Sequence, residues 1–189
     1  MSIQRRSDEL VDLLRPDFVG NDGTASPTFT NLYLTGFLYG FVPYVHVQDQ
    51  KAQNTAGGAF TLGAWRTRDI NTEQADTLGI CAIAANQITL AAGTYRCLIT
   101  CPAQQVNRHQ ARLQNITIGA TLLPGTSELA QATSVVVSRS VISGRFTLAA
   151  VSILEIQHQC SATKLGDGLG YAANFTTEVY TDAEFWKMA

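Results

Sequence analysis

The segment Gly93-Thr94-Tyr95-Arg96-Cys97-Leu98-Ile99-Thr100-Cys101-Pro102 decides the fold. Successive side chains of a strand point to opposite faces. This run therefore reads as one strong β-strand, with Tyr95, Cys97, Ile99 and Cys101 on one face and Arg96, Leu98 and Thr100 on the other. The same alternation recurs in Ser152–Cys160, where Ile153, Glu155, Gln157 and Gln159 oppose Leu154, Ile156, His158 and Cys160. Arg108 to Thr117 alternates polar and apolar residues, and Thr133 to Ile142 is rich in Val, Ser and Thr. Further strands are expected at Ile80–Ile83 and Gln87–Leu90 around Asn86, at Gly144–Leu148, and at Thr176–Lys187 with its closing Phe185-Trp186. Thr55 to Arg68 reads as strand, turn and strand. From His46 onward, turn signals recur roughly every ten residues, and no helical period or internal repeat follows Pro16. Roughly eight to ten short strands at this spacing predict an all-β chain folded as an antiparallel jelly-roll sandwich.

Upstream, the pattern changes. Ser7, Asp8 and Glu9 can cap a short helix whose apolar stripe is Leu10, Val11, Leu13 and Leu14, stopped by Pro16. Such a helix is marginal alone and needs something to lie against. A turn-rich linker, Val19–Pro27, leads to Thr28–Val45, which is dense in aromatics and broken by Gly36, Gly40 and Pro43. These aromatics read either as core strands or as an interface strand, because a short arm cannot bury so many by itself. The chain is thus divided into an N-terminal anchoring arm, 1–45, and a knob, 46–189. The anchoring residues expected in the arm are Leu10, Leu13, Leu14, Phe29, Tyr33, Phe37, Tyr39 and Phe41.

The 189 residues are 46% hydrophobic but only 15% charged. An average globular protein carries about 25% charged residues. A surface so poor in charge points to subunit contacts. The formal net charge is −2 and the arginines form no basic patch, so no nucleic-acid partner is expected. No apolar run is long enough to span a bilayer, and the opening residues do not read as a secretory signal. Cys81, Cys97, Cys101 and Cys160 are read as reduced, core-filling thiols, the alternative being Cys160 paired with Cys97 or Cys101.

Catalytic constellations are not evident. His46, His109 and His158 lack paired metal-ligand spacing, and His109 and His158 read as satisfied strand histidines. A zinc site from His109, His158 and Cys160 is the weaker reading of the same residues. Ser143-Gly144 lacks the glycine of a nucleophile elbow, the carboxylates are isolated, and Asp167-Gly168 reads as a plain turn. The chain is not read as an enzyme, and no cofactor or metal is expected. One polar face stands out: Arg108, Gln110, Arg112 and Gln114 share one side of a strand. It reads either as a glycan-facing surface or as a ring of arginines on a trimer axis, which would need carboxylate partners, with Glu155 and Glu184 as candidates.

Five blocks carry a resemblance: Thr89–Arg96, Val106–Asn115, Gly144–Ala150, Leu154–His158 and Glu178–Lys187. In this order, over roughly residues 50 to 189, they resemble the C-terminal knob module of bacteriophage tail-fibre and related virion-surface proteins. The Leu90-Ala91-Ala92-Gly93-Thr94-Tyr95 opening of a strand and the closing aromatic strand are similar to the tumour-necrosis-factor and complement globular-head jelly rolls. The resemblance implies a ten-stranded jelly roll packed as a tight homotrimer. It implies a protein of the virion surface, assembled in the host cytoplasm. Its partners would be other phage structural proteins of capsid or tail, and a host cell-surface glycan or protein. Two functions follow: a receptor-binding knob for host attachment, or a capsid decoration protein with a structural role.

Overall fold

The computed structural model describes residues 42–189. Eleven strands follow in order: β1 (Tyr44–Lys51), β2 (Arg66–Thr67), β3 (Thr72–Asp76), β4 (Cys81–Ala84), β5 (Gln87–Leu90), β6 (Gly93–Gln104), β7 (Asn107–Asn115), β8 (Ala120–Ala130), β9 (Val137–Leu148), β10 (Ser152–Cys160) and β11 (Glu178–Lys187). One sheet has the order β3-β1-β11-β6-β9; the other has β4-β5-β10-β7-β8, with the two-residue β2 added on β10. All pairings are antiparallel. The described residues contain no helix, and the architecture is the all-β jelly-roll sandwich that the alternation predicts.

The core lies between the sheets, where the alternation places it. Tyr95, Cys97, Ile99 and Cys101 are all fully buried, while Arg96 and Leu98 face outward. Leu154, Ile156 and His158 meet them from β10. Val45 and Val47 of β1, Ile142 and Phe146 of β9, and Ala183 and Phe185 of β11 complete one wall. Tyr95 stacks on Phe146 at 5.6 Å, and Phe146 meets Phe185 edge-on at 6.3 Å. Each fully buried large apolar side chain contributes about 1.5–3 kcal/mol. A second, smaller cluster, Phe60, Ala103, Val106, Ala130 and Cys160, closes one end. All four cysteines are unpaired. Burial pushes the Cys97 thiol up to about 12 and those of Cys101 and Cys160 to about 11.

Several local expectations change. Thr55–Arg68 does not form two strands: it holds only β2 and a single bridge between Phe60 and Lys164. Glycines and polar residues there leave too little apolar alternation to pay into a sheet. Thr133–Ile142 and Gly144–Leu148 are not separate strands: β9 runs unbroken through Gly144, where a Cβ would crowd Leu123 at 3.0 Å. The polar β3 and the Pro124-Gly125-containing β8 were not anticipated. Both are sheet-edge strands, where charge and proline are tolerated because one side of the backbone needs no partner. The 45/46 boundary falls inside β1, since Tyr44 and Val45 pair with Trp186 and Phe185. The proposed helix and the anchoring residues from Leu10 to Phe41 lie outside the described residues.

The two sheets are also tied by a charge. Arg68 is 1% exposed. Its Nε donates to Thr181 Oγ1 of β11 at 2.8 Å, Nη1 to the Pro102 carbonyl of β6 at 3.2 Å, and Nη2 to the Leu169 carbonyl at 3.0 Å. Its backbone N–H donates to Ile156 of β10, in the opposite sheet, at 2.8 Å. Among the described residues, no carboxylate bonds the guanidinium directly; Asp49 and Asp69 act on it only through their charge. Removing the side chain strands buried carbonyls, each worth about 1–3 kcal/mol when unsatisfied. Arg68→Met is expected to lower stability by about 3 kcal/mol, or roughly 6–12 °C in Tm for a domain of this size. Thermal unfolding followed by circular dichroism checks this, and an unchanged Tm would refute the role given to Arg68.

Candidate functional site

The polar strand face lies on the outside of the six-stranded sheet. Along β7 the inward residues are His109, Ala111 and Leu113, so Arg108, Gln110, Arg112 and Gln114 project from the other side. Register places Gln157 beside Arg112 and Gln159 beside Gln110. Side chains across this face form a continuous chain of hydrogen bonds. Gln87 and Thr67 donate to Glu155 at 3.0 and 2.9 Å, and Gln157 donates to it at 2.7 Å. Arg112 donates twice to Gln157 Oε1, at 2.9 and 2.7 Å, and once to Thr121 at 3.2 Å. Thr121 in turn donates to Gln114 at 2.7 Å. Burial pulls the Glu155 carboxyl upward, but these three hydrogen bonds outweigh it and hold it below the usual carboxylate range.

The structure therefore brings together Arg112, Gln114 and Glu155, but not as ion pairs. Gln157 stands between Arg112 and Glu155, so the direct arginine–carboxylate pairing expected there is not formed. Glu184 is on β11, in the other sheet, and accepts from the Tyr44 hydroxyl at 2.6 Å. Among the described residues, Arg108 and Arg112 have no salt-bridge partner.

Sequence reasoning missed Trp65. The strand β2 runs alongside β10, and the chain just before it carries Trp65 onto the same outer face. The Arg112 guanidinium lies 4.2 Å from the centre of its ring. Together with Arg108, Gln110, Leu129, Gln159 and Ser161, Trp65 lines a cavity of about 540 Å³. The available signal was a tryptophan in an otherwise polar, glycine-containing stretch.

Behind this face, His109 and His158 meet. His109 Nδ1 lies 2.9 Å from His158 Nε2, and His109 Nε2 lies 2.7 Å from Ser138 Oγ. His158 also packs on Phe60 at 4.8 Å. Burial pushes His109 down to about 4, against a weak opposing pull from Glu128; burial, then the nearby Arg68 charge and His109, hold His158 well below its ordinary value. Both rings are neutral at pH 7, and among the described residues one nitrogen, His158 Nδ1, has no partner. The zinc reading does not gain a ligand set: among the described residues no three His, Cys, Asp or Glu side chains are placed to hold a metal ion. Asp167 closes its turn by accepting the Gly170 N–H at its carbonyl, at 3.0 Å, and its carboxylate accepts from Gln104 at the end of β6, at 3.0 Å.

The outer face of the five-stranded sheet is different. Tyr44, Trp186 and Arg96 lie in one cross-strand row, with Tyr44 and Trp186 rings 5.6 Å apart and Arg96 5.7 Å from the Trp186 ring. His46 and Gln48 both bond Asp182, at 2.6 and 2.7 Å. Leu98, Val137 and Val179 remain 39%, 44% and 40% exposed on this face.

This double-sheet arrangement has known counterparts. The globular domain of zebrafish complement 1qA shares 13% identity, with 78% of this chain and 98% of that one covered, at a TM-score of 0.50. Murine APRIL shares 10% identity, with 78% and 100% covered and a TM-score of 0.50. Eiger TNF from S. frugiperda shares 13%, with 78% and 93% covered and a TM-score of 0.51. The fold is that of the complement and TNF heads. No family model matches the chain, and no curated protein matches it in sequence.

The histidine pair gives a pH dependence. Above the ordinary value of 6.5 both rings are neutral, folded or unfolded, and their contribution is intact. As pH falls below 6.5 the unfolded chain takes up protons that the fold refuses, and stability declines until His109 itself protonates near 4. Tm is expected to fall between pH 7 and pH 4, and to fall less in His109→Gln. Scanning fluorimetry across that range checks it; equal slopes for the two proteins would contradict the assignment.

Proposed function

We propose that this chain is a homotrimeric, non-catalytic binding protein of the bacteriophage virion surface. Its N-terminal arm docks on the particle, and its jelly-roll head engages the host surface. The observation that carries the reading is the contrast between the two outer faces. One holds the Tyr44–Trp186 stack and Leu98 towards one end and exposed Val137 and Val179 towards the other, interspersed with Arg96, Asp182 and Glu184. The other holds a saturated polar network beside an open cavity. A sheet face that carries an aromatic row and exposed aliphatic side chains on a charge-poor chain is best covered by further copies of itself, and closed three-fold symmetry does this without leaving a free edge. The polar face is then left for the outside. On this reading the polar strand faces a ligand rather than the trimer axis.

The virion placement is supported by the resemblance of the ordered sequence blocks to phage fibre knobs; those blocks lie mostly on β5, β6, β7, β9, β10 and β11. The non-catalytic reading is supported by the buried Ser138–His109–His158 chain, whose imidazole at about 4 is a weak base at neutral pH.

Sedimentation of the full chain is expected to give a trimer. Leu98→Glu with Val179→Glu is expected to raise the trimer dissociation constant by about 100-fold or more, because both put charge into a dry interface. Circular dichroism should remain that of a β-protein. A trimer untouched by both charges would show that the copies meet elsewhere. Imaging of particles distinguishes the two roles: heads confined to the tail support host attachment, whereas heads spread over the shell make the chain a capsid decoration protein.

A further inference from the structure

The geometry points to the cavity beside Trp65 as a binding site for an acidic saccharide, with Trp65 as the apolar platform and Arg108, Gln110 and Gln159 as the polar readers. This rests on the reading of the six-stranded face as the outward, ligand-facing one. The cavity volume of about 540 Å³ falls within the roughly 300–1,000 Å³ of small-ligand clefts. Its wall combines an indole with planar, hydrogen-bonding side chains. An indole matches the C–H face of a sugar ring. Amides and a guanidinium match paired hydroxyls and a carboxylate.

The hydrogen-bond ledger separates framework from reader. Arg112, Gln157 and Glu155 satisfy one another and hold the Trp65 ring in place through the stacked guanidinium. That is the preorganisation a saccharide site needs, since ordering loose side chains costs affinity. Arg108 and Gln159 are different: among the described residues neither side chain has a hydrogen-bond partner, although both line the cavity. Gln110 commits its amide N–H to the Gly125 carbonyl at 2.8 Å, which leaves its oxygen for a ligand hydroxyl.

The charge favours an acid. Arg108 shares the wall with Trp65, and Arg112 lies on the ring. Glu155 already accepts three hydrogen bonds and lies outside the wall. Glu128 is the one carboxylate in the wall, and it pairs in register with the inward-facing His109 rather than with Arg108. Arg108, exposed and unspent, is the group that selects a sugar carboxylate.

The test uses the full-length trimer in two assays: adsorption to a panel of bacterial cells, and titration with uronic-acid oligosaccharides against their neutral counterparts. The expected result is adsorption competed by acidic but not neutral oligosaccharides. Arg108→Ala and Trp65→Ala should each weaken the acidic ligand about 10-fold or more, and Arg108→Lys should recover part of the loss, because charge remains while the bidentate fork is gone. Sedimentation and circular dichroism of the variants must match wild type. Adsorption that survives both alanine variants would overturn the site while leaving the host-binding reading intact. Equal competition by neutral sugars would overturn the acidic specificity. A correctly folded trimer that adsorbs to no cell and takes up no oligosaccharide would overturn both.

Discussion

The guanidinium of Arg68 sits where the two sheets and the closing loop converge. Its donors reach β11, β6 and the Leu169 carbonyl, and its own backbone joins β10. A cation with so little access to water is costly, and the fold offsets the cost with neutral acceptors and distant carboxylates rather than a direct ion pair. The consequence reaches the outer face. With Arg68 turned inward, Thr67 turns outward to Glu155, and the preceding residues bring Trp65 over Arg112. An irregular segment with only two residues of strand is thereby held in one geometry. The cavity wall depends on a residue that does not line it.

Period-two alternation then divides the rest of the chemistry. Over most of their length the long strands keep one inward parity, β11 changing it at Tyr180-Thr181 where its register with β1 shifts, and what remains on the outside differs between the sheets. On the six-stranded side, glutamines, arginine and Glu155 use up each other's hydrogen bonds, so most of that face is framework and only a few groups stay unspent. On the five-stranded side, the Tyr44–Trp186–Arg96 row and exposed valine and leucine lie among His46, Gln48 and Asp182. The neutral His109–His158 pair lies between the polar face and the second core cluster, where its low basicity keeps charge out of the interior.

Much of this was legible in the sequence. Clean alternation in Tyr95–Cys101 and Leu154–Cys160 identified the core strands and their inward parity, because both strands are central in their sheets and packing acts on them from one side only. Edge strands were not legible: β3 is polar throughout most of its length, and β8 contains Pro124 and Gly125, both tolerated only because an edge needs half the hydrogen bonds. The polar strand was recognised, but its partners were not. Cross-strand register, which no local pattern reveals, put Gln157 rather than Glu155 beside Arg112 and sent Glu184 to the opposite sheet. Trp65 was missed for a related reason, since its place is set by the buried Arg68 and by pairing across 90 or so residues of chain.

The chain has two tryptophans, and they lie on the two faces to which opposite roles are given: Trp65 on the six-stranded side and Trp186 on the five-stranded side. Acrylamide quenching of Trp65→Phe and Trp186→Phe, each at concentrations where the full chain is assembled, reads them separately. The account predicts that Trp186, seen alone in Trp65→Phe, is shielded and becomes readily quenched only on dilution to monomer, while Trp65, seen alone in Trp186→Phe, is quenched equally at both concentrations. A shielded Trp65 beside an accessible Trp186 in the assembled protein would contradict the division of the two faces.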